Sequence, residues 1–70
     1  MTDTEALVAL IEKSGLKYKY IASQLGISYF SLNRKINNAT EFKTSEVSKL
    51  CELLNIDSAK EKEQIFLKRK

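Results

Sequence analysis

The stretch YKYIASQLGISYFSLNRKI, running from Tyr18 to Ile36, decides how this chain folds. Tyr18, Ile21, Ala22 and Leu25 recur at the i, i+3, i+4, i+7 spacing that lines one face of an α-helix. Gly26 ends the pattern, because a glycine takes the left-handed conformation that closes a helix C-terminus at little cost. Ile27 and Ser28 then restart the chain with an apolar residue followed by a hydroxyl N-cap, so a second short helix is predicted from about Ser28 to Ile36. Leu32 and Ile36, four residues apart, anchor its inner face and leave Tyr29, Phe30, Asn33, Arg34 and Asn37 pointing outward. Two short helices about a tight turn suit the reading of a DNA groove.

Outside this stretch the signals are also helical. Thr2-Asp3-Thr4-Glu5 has the form of a capping box and predicts a first helix from Thr2 to about Lys13 or Ser14, with Leu7, Leu10 and Ile11 as its buried stripe and Gly15 past its end. Residues 37–43 lack any helical period and read as an extended loop, in which Phe42 is expected to plug the core. A fourth helix is expected from a cap at Thr44 or Ser45 to Leu54 or Asn55, with Val47, Leu50, Cys51 and Leu54 on its inner face. Ser58-x-x-Glu61 makes a second capping box for a fifth helix anchored by Ile65 and Phe66. No stretch alternates as a strand does, so the expected class is all-α: one compact five-helix domain over residues 1–67 with a basic, frayed tail at 68–70.

Seventy residues with no histidine, no proline and one cysteine exclude a disulfide framework, a zinc cluster and most acid-base or thiol catalytic sets. Cys51 reads as a small core residue, and no nucleophile-base pair points to an enzyme or a cofactor. No apolar run approaches the ~20 residues a bilayer span requires, and the first residues are acidic where a signal peptide is basic, so an intracellular protein without a membrane partner is expected. The formal net charge is only +3, but its distribution is uneven. Residues 13–43 hold six bases, Lys13, Lys17, Lys19, Arg34, Lys35 and Lys43, against one acid, Glu41. The positive excess therefore sits where a polyanion would dock on the two-helix stretch.

The Ile-Ala pair at Ile21 and Ala22, the Leu-Gly-Ile at Leu25 to Ile27, and Leu32 resemble the Cro/C1-type (XRE-like) helix-turn-helix family over nearly the whole chain. The run RKINNATEFKTSEVSKLCELLNI, from Arg34 to Ile56, is similar to small Cro-like regulators of temperate phages of Gram-positive bacteria, among them modulator-of-repression proteins. The resemblance implies a lambda-repressor-like DNA-binding fold, double-stranded operator DNA as partner, residence in the bacterial host cytoplasm and repression in a lysis-lysogeny switch. It also implies base reading by Ser28, Tyr29, Phe30, Asn33 and Arg34, with Asn33 and Arg34 foremost. Phosphate contacts are implied at Lys17, Lys19, Lys35, Asn37, Asn38, Thr40 and Lys43. Two departures stand out: Tyr18 and Tyr29 occupy positions where many members carry glutamine, and Asn37-Asn38 replaces a glycine-containing turn.

A second function class rests on the aromatics Tyr18, Tyr20, Tyr29 and Phe30, which lean outward on the same surface and suit capture of a partner phage repressor protein. No leucine seam or self-pairing strand is visible, so a monomer or weak homodimer is expected, with any contact between copies at the fifth helix or Phe66.

Overall fold

The computed structural model of the chain describes residues 1–67; the tail at 68–70 lies outside the described residues. Five helices follow one another, α1 (Thr4–Ser14), α2 (Tyr18–Leu25), α3 (Tyr29–Ile36), α4 (Thr44–Leu54) and α5 (Ala59–Phe66), with no strand among the described residues. The protein is an all-α, five-helix domain.

Four fully buried side chains, Leu7, Ile21, Leu32 and Leu50, supply one apolar centre from each of the first four helices. Ile65 and Phe66 of α5 join the same core, and Phe42 from the loop packs edge-on against Phe66 with ring centroids 5.8 Å apart. Fully burying side chains of this size is worth roughly 1.5–3 kcal/mol each, which is what a short chain needs to hold helices too short to stand alone. Leu10, expected in the buried stripe, is only partly buried at its edge.

Helix ends follow their turn chemistry. Gly26 closes α2 at φ +72°, with its N–H donating to the Ser23 carbonyl and the Ile27 N–H to the Ala22 carbonyl. The same closure recurs after α3 and α4 with asparagine in the left-handed position, Asn38 at φ +65° and Asn55 at φ +57°. There the Ala39 N–H reaches the Arg34 carbonyl (2.8 Å) and the Ile56 N–H the Cys51 carbonyl (2.9 Å). After glycine, asparagine is among the residues that visit this region most readily. Ser28 and Ser58 cap α3 and α5 by accepting from the backbone N–H three residues on.

Two helix starts differ from the sequence expectation. The first helix begins at Thr4, capped by Asp3, whose carboxylate accepts the Ala6 N–H (3.2 Å). Thr2 is instead held in the extended chain before it, where the Asn38 side chain engages both its N–H and its carbonyl, each at 2.9 Å. A long-range clamp has outcompeted a local cap. Helix α4 starts at Thr44 itself with Lys43 as its cap, so neither Thr44 nor Ser45 caps it. Glu46 reaches back to accept the Lys43 N–H (2.8 Å), which satisfies the entry without a hydroxyl.

Candidate nucleic-acid interface

Helix α3 is fastened on three sides, which leaves its outer face rigidly presented. Leu32 and Ile36 bury its underside against α1 and α2. Its N-terminus is capped by Ser28, whose Oγ accepts the Ser31 N–H (3.0 Å). Its C-terminus is tied by the N-terminal segment: Thr4 Oγ1 donates to the Ile36 carbonyl (2.6 Å), and the Asn38 clamp on Thr2 follows immediately.

A fourth fastening uses charge. Lys35 Nζ donates to Glu46 Oε1 at 2.6 Å, with both side chains nearly out of solvent. Burial alone raises the Glu46 pKa, but the hydrogen bonds from Lys35 and the Lys43 backbone, with the charges of both lysines, outweigh it and hold the carboxyl below its ordinary value. This corrects the expectation that Lys35 meets phosphate. Position 35 lies three residues from Leu32 and one from Ile36, at the border of the inner face, and its long stem turns inward to the nearest carboxylate. The position of Glu46 in the first turn of α4 signals only its reach back to the Lys43 N–H; its pairing with Lys35 has no local signal in the sequence.

The outer face divides into committed and uncommitted groups. Asn33, expected among the foremost base readers, donates its Nδ2 to the Tyr29 carbonyl (3.1 Å), and Asn37 donates its own to the Asn33 carbonyl (2.9 Å). Asn38 is spent on the Thr2 clamp, so its amide is structural and is not available to a phosphate as expected. One lone pair of the Ser28 oxygen serves the cap, which leaves its hydroxyl proton and a second lone pair to offer. Arg34 is exposed, and its guanidinium makes no hydrogen bond or ion pair among the described residues; it lies 5.7 Å from the centroid of the Phe30 ring. Phe30 is 70% exposed and Tyr29 50%. Lys17, Lys19, Thr40 and Lys43 all remain exposed around this face.

Tyr18 and Tyr29, at the starts of α2 and α3, touch edge-on with centroids 6.3 Å apart. Tyr18 is thereby partly covered, while Tyr20, two residues on, stays exposed. The pair fixes the N-termini of both helices relative to each other by an apolar contact.

A family model described as a protein of unknown function (DUF739) matches residues 4–68, nearly the whole chain. The chain belongs to this family. No curated protein and no solved structure matches it. Within the DUF739 span lie all five helices and every group on the α3 face described above.

No cluster of three His, Cys, Asp or Glu side chains able to hold a metal ion exists among the described residues, and no helix there is long and apolar enough to cross a membrane. Cys51 is half-buried, and burial, opposed by Lys62 and reinforced by Glu61, pushes its thiol above the ordinary range and away from the reactive thiolate.

Proposed function

We propose that this protein is a sequence-specific DNA-binding transcriptional regulator, a Cro-like repressor of a temperate-phage switch, with α3 in the major groove of operator DNA. The observation that carries this reading is the outer face of α3. An uncommitted Arg34 and two exposed aromatics stand on a helix braced from beneath, flanked by Lys17, Lys19 and Lys43, and no acid occurs between Lys13 and Thr40. Exposed cations at the rim neutralise phosphates and set affinity; groups at the centre meet base edges and set sequence. Two copies bound one helical turn apart would match a pseudo-palindromic operator. A gel-shift titration across salt concentrations with the DNA flanking its own gene and a scrambled duplex tests the reading. A tenfold or greater preference for the genuine site supports it, and equal affinity for both defeats it.

A second reading has its own observation. Tyr20, Tyr29 and Phe30 are large apolar groups left in solvent, and aromatic residues dominate the energetic centres of protein interfaces. On this reading the same face captures a partner phage repressor and blocks or redirects it. Co-purification with that repressor at micromolar concentration is the measurement, and its failure counts against capture.

A further inference from the structure

The contact between Phe30 and Arg34 ties two side chains that the sequence suggested as separate base readers. They lie one turn apart on α3, both exposed, with the guanidinium 5.7 Å from the ring centroid, inside the range of a cation–π interaction. Asn33 and Asn37, the other amides on this face, are turned back onto the helix backbone. The uncommitted chemistry of the face is therefore one donor fork attached to one apolar plate.

We propose that Phe30 and Arg34 read DNA as a single unit, recognising a guanine whose neighbouring base pair carries a thymine methyl group. This rests on the DNA-binding reading above. A guanidinium bonds guanine through two in-plane contacts, to O6 and N7, and must lie close to the plane of that base. With the guanidinium carbon over the Phe30 ring and 5.7 Å from its centroid, a ring displaced from the guanine plane along the duplex faces the layer of the adjacent base pair, about 3.4 Å away. In that layer Phe30 has no donor or acceptor to offer. The one major-groove feature a phenyl ring favours is the C5-methyl of thymine, whereas the amino group of cytosine would lose water and gain no acceptor. Because the ring also limits the freedom of Arg34, loss of either side chain weakens the contribution of the other.

The test begins with selection of preferred duplexes from a randomised pool by the full chain. In the selected site, thymines beside each guanine are replaced one at a time by deoxyuridine, which removes only the methyl group. One replacement is expected to weaken binding about fourfold, the worth of a single buried methyl, and 5-methylcytosine in place of cytosine at that position is expected to bind better than cytosine. Phe30→Ala abolishes the thymine-over-uracil ratio; Arg34→Gln abolishes the guanine preference and shrinks that ratio. Circular dichroism confirms that both variants keep the fold, since both residues lie outside the core. A pool that enriches nothing overturns the DNA-binding reading and this inference with it. A clear selected site in which uracil binds as well as thymine, or in which Phe30→Ala leaves the ratio intact, overturns the paired reading alone and leaves DNA binding standing.

Discussion

The pairs α2–α3 and α4–α5 are joined by nearly the same grammar and present different surfaces. In each, a left-handed residue closes the first helix, an isoleucine turns back onto the core, and a serine caps the second helix: Gly26, Ile27 and Ser28 in one, Asn55, Ile56 and Ser58 in the other. Helix α3 shows exposed aromatics beside Arg34, whereas exposed α5 mixes Lys60 and Lys62 with Glu61 and Glu63. Turn chemistry makes a helix-turn-helix, and face composition decides whether it has anything to read. The local motif is thus a scaffold that occurs twice in 70 residues, with the attributes of a polyanion site on one copy.

The comparison breaks first at the buried side. Leu32→Ala beneath α3 and Leu50→Ala beneath α4 are each expected to cost about 3 kcal/mol, a large share of the stability of so small a domain, measured by urea unfolding. Similar losses would show that the two pairs are equivalent as packing. Glu46→Ala, which strands the Lys35 ammonium between the pairs, is expected to cost about 3 kcal/mol by the same assay. Because the folded pKa of Glu46 is lowered, its contribution is complete above the unfolded glutamate value of about 4.3 and disappears as pH falls through the folded value. An acid titration followed by circular dichroism should show a steeper loss of stability below about pH 4 in the native protein than in Glu46→Gln.

The turns give a smaller and sign-reversing contrast. Gly26→Ala should destabilise by about 1 kcal/mol, since open space surrounds the added methyl and only the left-handed backbone objects. Asn55→Gly at the matching position should be neutral or gain a few tenths of a kcal/mol. Smallest in stability and sharpest in function are the surface exchanges. Lys43→Gln and Lys60→Gln should each change stability by less than about 0.5 kcal/mol. Lys43→Gln alone should flatten the salt dependence of DNA binding, by about one unit of slope. An equal effect from Lys60→Gln would erase the distinction between the pairs.

Much of this architecture was legible from short-range chemistry. The spacing of Ile21, Ala22, Leu32 and Ile36, the glycine at position 26 and the serines at 28 and 58 act over one or two turns, and local patterns report local events. What stayed hidden depends on distant partners. Nothing near Thr2 indicates that Asn38 will hold its backbone, and nothing near Lys35 indicates that Glu46, eleven residues on, will draw it inward. Within the site, exposure of Phe30 and Arg34 followed from helical spacing, whereas their mutual contact and the inward turn of the Asn33 amide depend on rotamers that spacing does not specify. The late start of α1 has the same origin, since Asp3 caps the helix while Thr2 is taken by a remote loop.

The clamp on Thr2 also bears on the order in which the molecule comes together. Thr2 waits for Asn38, and the Asp3 N–H waits for the Ile65 carbonyl (2.6 Å), so this segment finds its partners only after residues 38 and 65 have been made. Contacts of such long sequence separation carry the largest loop-closure cost and form late. During synthesis α2 and α3 can pair while this segment is still unattached. The end of α3 is thus tied by contacts that close late, and a chain released short of Ile65 would keep the Thr2 and Thr4 ties but lack the acceptor for the Asp3 N–H that seats the same segment.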